Sequence, residues 1–182
     1  MKQSRFPDSD YVLKNACLSK VNLDEESAAK LSTWVEKPTD FLLYLGSPGC
    51  GKTYFCASMI NLFKEKRFHY LFNFERDFLA CLRNQVDQGF DPIFEIEKIC
   101  EIPFVIIDDM GSARADNLTD WQRDMLFTFV DIRAMSRLPT IITSNHYLKD
   151  IKNNFEQRFY SRLAAKRNTI LELKADDLRQ TY

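Results

Sequence analysis

The feature that most restricts what this chain can fold into is the motif G-x-x-x-x-G-K-T at residues 46–53. Its glycines let the backbone curl so that successive N–H groups point at phosphate oxygens. Such a loop needs a buried strand before it and a helix after it. Residues 41–45 are apolar or aromatic, and residues 53–66 carry apolar side chains at helical spacing. The motif therefore predicts a phosphate-binding loop between a strand and a helix.

The chemistry of this loop assigns a role to its residues. Lys52 is expected to reach the β- and γ-phosphates of ATP, and the Thr53 hydroxyl is expected to ligate Mg²⁺. The helix that starts there adds the positive end of its dipole. Cys50 is interpreted as a filler whose backbone N–H faces phosphate, and a redox switch at its thiol is the alternative. The residues predicted to contact the nucleotide are Gly46, Gly49, Cys50, Gly51, Lys52, Thr53 and Tyr54.

Short apolar strands alternate with longer amphipathic helices along the rest of the chain. This alternation predicts parallel strands with helices on both faces, which is a three-layer α/β fold with a five-stranded parallel sheet. A length of 182 residues suits one domain, residues 1–182, in which residues 1–40 form a lead-in loop and helix. The predicted strands are 41–45, 69–74, 104–107, 140–143 and 169–173, and the predicted helices are 24–37, 53–66, 75–88, 119–137 and 150–166.

Composition and charge exclude several classes of protein. The net charge of −1 gives no support for a DNA-coating protein, although it leaves room for a local basic groove. Residues 1–10 contain no apolar stretch of signal-peptide length, and no run approaches the ~18 apolar residues of a membrane span. Five cysteines without a C-x-x-C pair favour reduced thiols over a disulfide framework or a zinc site. We therefore expect a cytoplasmic protein.

Two further strand candidates end in polar side chains. Asp108 and Asp109 follow residues 104–107, and Asn145 follows the strand at 140–143. A ligand in a parallel α/β sheet lies at the carboxyl ends of the strands. Asp108 is expected to hold Mg²⁺, Asp109 to orient or deprotonate the attacking water, and Asn145 to polarise that water. The alternative for each is a polar turn at the end of a strand.

A group of basic residues, Arg158, Arg162, Lys166 and Arg167, lies on one predicted helix and its end. Arg158 and Arg162 are four residues apart, so they share a helix face. One interpretation is a solvated basic face. The other is an arginine finger that reaches the γ-phosphate on a neighbouring subunit, because the planar guanidinium matches phosphate oxygens and always carries its charge.

Together these segments resemble a known family. The stretches G-S-P-G-C-G-K-T, V-I-I-D-D-M-G and L-P-T-I-I-T-S-N are similar to those of AAA+ ATPases of the DnaC/IstB type. These are bacterial and phage replicative helicase loaders and transposition helper proteins. The resemblance runs from about Phe6 to Arg179, and residues 119–145 are its most specific part.

The resemblance implies a P-loop NTPase core and a role for each matched residue. By that match, Lys52 and Thr53 form the Walker A pair, Asp108 and Asp109 the Walker B acids, and Asn145 the sensor-one residue. Residues 156–163 resemble the family's box VII, which makes Arg162 the arginine finger supplied in trans and Arg158 a nearby helper. The resemblance also implies contact with single-stranded DNA, for which the aromatic candidates are Phe72, Phe74 and Phe78, with core packing as the alternative.

Three departures from the family pattern qualify this assignment. Helicase loaders usually carry an additional N-terminal domain that grips the helicase, whereas the family-like core begins almost at Met1. Asp109 stands where most AAA+ proteins have Glu, and its shorter side chain could slow hydrolysis. We expect no helical lid domain after the fifth strand, which is also a tendency of this branch.

The favoured interpretation is an ATP-driven oligomeric switch that acts on a replicative helicase, with ATP and Mg²⁺ as cofactors and single-stranded DNA as a further ligand. The chain is expected to form a homo-oligomer when ATP is bound. Three alternatives remain at this point. They are a transposition helper that escorts a transposase, a nucleotide-binding adaptor without hydrolysis, and a small-molecule kinase.

Overall fold

The computed structural model describes residues 11–111 and 118–173. Within them lies the predicted five-stranded sheet, with the strand order β2-β3-β4-β1-β5 and parallel pairing throughout. The strands are β1 (Phe41–Gly46), β2 (Tyr70–Phe74), β3 (Phe104–Met110), β4 (Thr140–Ser144) and β5 (Thr169–Leu173).

Eight α-helices connect or precede these strands in the part of the chain that is described. They are α1 (Tyr11–Lys14), α2 (Glu25–Glu36), α3 (Lys52–Glu65), α4 (Glu75–Asp87), α5 (Pro92–Cys100), α6 (Asp120–Ser136), α7 (Leu148–Asn154) and α8 (Gln157–Leu163). None of these helices is long and apolar enough to cross a membrane. The first ten residues of the predicted lead-in lie outside the described residues. Residues 174–182 also lie outside them, so the expectation that no lid domain follows the fifth strand is not tested.

The sheet lies between two apolar layers, as the three-layer prediction requires. Phe41, Leu43 and Leu45 of β1 face one core cluster, which contains side chains of α4, α5, α6 and α8. Leu42 and Tyr44 face the other, which contains side chains of α2 and α3. Every residue of β1 is buried, which explains why this strand reads as a continuous apolar run.

A capping box is present at the start of α6. The side chain of Thr119 accepts a hydrogen bond from the N–H of Gln122 at 3.2 Å, and the side chain of Gln122 accepts one from the N–H of Thr119 at 2.9 Å. This pair satisfies two backbone donors that a helix end otherwise leaves unpaired. It fixes the start of the helix that leads into β4.

The helix predicted at residues 150–166 is wrong in its extent. Two shorter helices, α7 and α8, replace it, because Phe155 and Glu156 adopt extended backbone conformations between them. The break lets the Phe155 ring pack against the core and stack on Phe159 at 5.0 Å between ring centroids. Packing of this partly buried aromatic ring against the core therefore overrides the continuous helical pattern.

Helix α5 was missed, although its start signals are present in the sequence. The side chain of Asp91 caps it by accepting a hydrogen bond from the N–H of Ile93 at 2.8 Å. Pro92 occupies the first helical position, where its missing N–H has no consequence. Its buried side chains, Ile96, Ile99 and Cys100, complete the core beside α4 and α6.

A buried arginine ties the amino ends of β3 and β4 together. Arg133 on α6 has no solvent exposure, and burial lowers its pKa to about 10. Its guanidinium donates to four backbone carbonyls and one hydroxyl. These acceptors are the oxygens of Cys100, Ile102, Pro103 and Pro139 and the Oγ1 atom of Thr140. Arg133 thus fixes the strand ends opposite the phosphate loop.

Candidate nucleotide-binding site

The loop between β1 and α3 has the tight geometry that its glycines predict. A Cβ atom on Gly46 would lie 2.8 Å from the Sγ atom of Cys50 and 3.0 Å from the carbonyl oxygen of Leu173, so no larger residue fits there. Gly49 and Gly51 have φ angles of 86° and 90°, in the left-handed region that other residues rarely adopt. The thiol of Cys50 is buried against this loop, which supports its interpretation as a filler.

The ammonium group of Lys52 lies inside the loop. Its Nζ atom donates to the carbonyl oxygens of Gly46 and Ser47, each at 2.9 Å, and lies 3.7 Å from the Sγ atom of Cys50. Only 8% of Lys52 is exposed. Two backbone carbonyl oxygens of the loop therefore hold a positive charge beside the position predicted for the phosphates.

Asp108 is almost fully buried at the end of β3, with 1% of its surface exposed. Its Oδ2 atom lies 3.5 Å from the Thr53 hydroxyl, and its Oδ1 atom accepts a hydrogen bond from the Thr143 hydroxyl. Burial raises the pKa of Asp108, because low-dielectric surroundings disfavour the charged form. Among the described residues, no Lys or Arg forms an ion pair with this carboxylate. A hydroxyl beside a buried carboxylate is the oxygen donor set that Mg²⁺ prefers, so these residues fit the predicted cation.

Asp109 has an unusual backbone conformation for a residue other than glycine, with a φ angle of 61°. The pairing of β3 with β4 shifts its register between Ile107 and Met110, so Asp109 lies in a bulge. Its N–H donates to the Thr143 hydroxyl at 3.0 Å, and its Oδ1 atom accepts from the Nδ2 atom of Asn145 at 2.7 Å. The bulge thus places the second acid next to the predicted sensor residue.

The predicted residues converge on one open cleft of about 330 Å³. The phosphate loop forms one wall, and the ends of β2, β3 and β4 form the other. Gly46 and Cys50 are absent from the lining, since they form the base of the loop. The lining residues are Pro48, Gly49, Gly51, Lys52, Thr53, Tyr54, Phe74, Asp108, Asp109 and Asn145. Four separate segments of the chain therefore supply one site.

The two box VII arginines lie elsewhere. The Nε atom of Arg162 lies 2.5 Å from an oxygen of Asp131, and 44% of the arginine side chain is exposed. Arg158 pairs with Glu156 and Asp124, and its guanidinium lies 4.1 Å from the centroid of the Phe127 ring. Neither arginine lines the cleft of its own chain. Both are exposed on α8, facing α6.

The three aromatic candidates for stacking on DNA separate into two groups. Phe72 and Phe78 are buried in the core on opposite faces of the sheet, so the stacking interpretation is wrong for them and the alternative of core packing is confirmed. Phe74 is half-buried and lines the nucleotide cleft. Although β2 is an edge strand, Phe72 on it and Phe78 on the following helix α4 are covered by the apolar layers on the two faces of the sheet, which leaves Phe74 at the strand end accessible.

Two polar residues near the site were missed by the sequence analysis. Thr143 contacts both Asp108 and Asp109, as described above. Glu75 begins α4 with 2% of its surface exposed, and its carboxylate accepts a hydrogen bond from the N–H of Gly111. Burial raises the pKa of Glu75 to about 7, and the charge of Asp109 acts in the same direction. The signal for Glu75 was its position directly after β2, because the end of β2 lies beside the end of β3.

Comparisons with known proteins identify the family of this chain. Residues 2–167 match the family model described as IstB-like ATP binding protein. The chain is 28% identical over 171 residues to the replicative helicase loader DnaI of Bacillus subtilis strain 168, a match that covers 85% of this chain and 52% of that protein. The chain thus spans about half the length of this curated relative.

Two solved structures share the fold. A crystal structure of the DnaC helicase loader has a TM-score of 0.73 at 24% identity, covering 91% of this chain and 100% of that chain. The replication initiator DnaA, bound to AMPPCP and single-stranded DNA, has a TM-score of 0.73 at 14% identity, covering 92% of this chain and 52% of that chain. At these identities the likeness shows that the chains share a fold, and nothing further.

Proposed function

Because the chain belongs to the family of IstB-like ATP-binding proteins, we propose that it binds and hydrolyses ATP in the cleft beside the phosphate loop. The observation that carries this proposal is the convergence of five residues from three separate segments of the chain. Lys52, Thr53, Asp108, Asp109 and Asn145 all line the same cleft. A phosphate-binding turn alone would not bring two acids and an amide to the same place.

Three of these side chains, those of Lys52, Thr53 and Asp108, have a role in holding the nucleotide. The Lys52 ammonium exchanges the carbonyl oxygens of Gly46 and Ser47 for phosphate oxygens, which carry more negative charge. Thr53 and Asp108 would hold Mg²⁺, which when bound neutralises the charge that develops on the phosphates. The backbone N–H groups of residues 49–53 complete the phosphate contacts.

Asp109 and Asn145 act on the attacking water. The carboxylate of Asp109 accepts a proton or a hydrogen bond from that water, and Asn145 holds the carboxylate through its Nδ2 atom. An aspartate is one methylene shorter than the glutamate of most AAA+ proteins. The left-handed backbone of Asp109 and the bond from Asn145 hold this shorter side chain at the cleft.

Arg162 is proposed to complete the site of a neighbouring subunit. Its guanidinium is exposed on α8 and pairs with Asp131 at the surface, outside the cleft of its own chain. A cation that cannot act in its own site is available to a partner copy. ATP bound between two copies would then hold an oligomer together, and hydrolysis would release it.

The partner that such a switch acts on is proposed from the relatives. The likeness to DnaI favours a replicative helicase. A transposase is the second class of partner, because the sequence also resembles transposition helper proteins. DnaA, which has the same fold, binds single-stranded DNA together with an ATP analogue. Single-stranded DNA is therefore the first nucleic acid to test.

The experiment is steady-state ATP turnover at rising protein concentration, with and without single-stranded DNA, alongside light scattering for mass. Specific activity that rises with mass supports a site shared between copies. Lys52→Ala serves as the inactive reference. ATP binding by a persistent monomer without turnover, in the presence of DNA and of a helicase, would contradict hydrolysis and favour the adaptor.

A further inference from the structure

The hydroxyl of Thr143 forms hydrogen bonds with both predicted Walker B acids, Asp108 and Asp109. It lies on β4, the neighbour of β3 in the sheet, with no solvent exposure. Its hydroxyl donates its single hydrogen to the Oδ1 atom of Asp108. The same oxygen accepts the N–H of Asp109 at 3.0 Å. One hydroxyl is therefore used twice, once as donor and once as acceptor, on two consecutive residues.

The second of these bonds replaces a bond that the sheet cannot make. In β3 the ladder to β4 is interrupted between Ile107 and Met110, so the N–H of Asp109 has left the regular backbone pairing. A buried N–H without an acceptor is costly. The Thr143 side chain supplies that acceptor from the opposite strand, and thereby supports the left-handed conformation of Asp109.

The first bond sets the orientation of the proposed metal ligand. With Oδ1 of Asp108 bound by Thr143, the other oxygen, Oδ2, is the one that lies 3.5 Å from the Thr53 hydroxyl. The hydroxyl of Thr143 thus determines which carboxylate oxygen faces the cation position. Two residues further along the chain, Asn145 holds the side chain of Asp109.

We infer that Thr143 is a positioning residue for both acids, which orients Asp108 for the divalent cation and holds Asp109 in its bulge. This inference rests on the proposed ATP site. Groups that hold metal ligands in place commonly change metal affinity or activity by about 10- to 100-fold when removed. Thr143 touches neither the nucleotide nor the water in this account, and it acts through Asp108 and Asp109.

The test uses Thr143→Val, which removes the hydroxyl at nearly constant shape, and Thr143→Ser, which keeps it. Mn²⁺ binding to the protein–ATP complex is followed by the loss of the free Mn²⁺ electron paramagnetic resonance signal. We expect Thr143→Val to weaken Mn²⁺ binding by about 10-fold or more, and Thr143→Ser to restore it to within about threefold of wild type. ATP binding in EDTA should be the same in all three proteins.

Ser144→Ala is the matched control, because Ser144 is also a buried hydroxyl of β4 but donates to the carbonyl oxygen of Met110. It should leave Mn²⁺ affinity unchanged. If Thr143→Val does not fold, as judged by circular dichroism, Thr143→Ala replaces it. Equal Mn²⁺ affinity in wild type and the folded hydroxyl-free variant would overturn the positioning role and leave the ATP site standing. No Mn²⁺ or ATP binding by wild type would overturn both.

Discussion

The Nδ2 atom of Asn145 donates to the Oδ1 atom of Asp109 at 2.7 Å, which joins the ends of two neighbouring strands at the nucleotide cleft. Asp109→Asn keeps an oxygen that can accept this bond but removes the negative charge. We expect ATP turnover to fall by about 100-fold or more, since a group that takes up a proton contributes that much. ATP affinity should be unchanged, because Asp109 acts on water.

The measurement is steady-state turnover together with an ATP binding titration on the same preparations. Asp87→Asn, at an exposed acid on α4, serves as the control and should match wild type in both. Full turnover by Asp109→Asn would assign the water-orienting role to another residue.

Arg162→Ala tests the contribution from a neighbouring copy. We expect it to bind ATP normally but to lose the part of turnover that rises with protein concentration. Mixing it with Asp109→Asn should restore turnover, because each variant supplies what the other lacks. The readout is turnover of the mixture against the sum of the separate proteins.

Lys166→Ala, an exposed cation shortly after α8, is the control and should behave as wild type. A mixture no more active than its components would mean that Arg162 does not complete a neighbour's site.

Glu75 predicts a specific pH dependence of stability. Its pKa is raised from 4.5 to about 7 in the folded chain. Between these values the folded chain holds a proton that the unfolded chain has released, so this contribution to stability is complete below pH 4.5 and is lost as pH rises through 7. The upper limit of the loss is about 3 kcal/mol, from 1.36 kcal/mol for each pKa unit.

Urea unfolding of wild type and Glu75→Gln at several pH values, without nucleotide, isolates this contribution, because the other titrating groups are common to both proteins. The glutamine side chain of the variant keeps an oxygen for the N–H of Gly111 but does not titrate. The stability difference between the two proteins should shift in favour of the variant as pH rises. A difference that stays constant from pH 4 to 8 would show that Glu75 titrates normally.

Arg133→Met should destabilise the fold by about 3 kcal/mol or more, because it leaves several buried carbonyls without their donor. Arg76→Met, at an exposed arginine of α4, makes the same chemical change and should cost less than about 0.5 kcal/mol. Both are measured by urea unfolding monitored by circular dichroism. Equal stabilities for the two variants would contradict the anchoring role of Arg133.

The sequence predicted the sheet and the main part of the site because both depend on local signals. Apolar runs identified all five strands, and the polar residues that follow them, Asp108 and Asn145, identified the edge at which they meet. The phosphate loop was recognised from its own residues. The residues that follow a parallel strand lie at its carboxyl end, where ligands bind, and the change from apolar to polar residues shows in the sequence where each strand ends.

Other features depend on contacts between distant segments, which spacing does not reveal. Thr143 reads as an ordinary β-branched strand residue, and only the bulge at Asp109 gives its hydroxyl two partners. The break between α7 and α8 arises because Phe155 packs against the core. Helix α5 is different, since the Asp91-Pro92 start signal was present and was overlooked.

The most direct test of the account is a calorimetric titration of ATP with Mg²⁺ into wild type, Lys52→Ala and Lys66→Ala. Lys66→Ala is the control, because Lys66 is exposed at the end of α3. Wild type and Lys66→Ala should each bind one nucleotide per chain with the same affinity. Lys52→Ala should bind about 10- to 100-fold more weakly, because it loses hydrogen bonds from a charged group worth about 1.5–3 kcal/mol. Unchanged affinity in Lys52→Ala would contradict the placement of ATP at the phosphate loop.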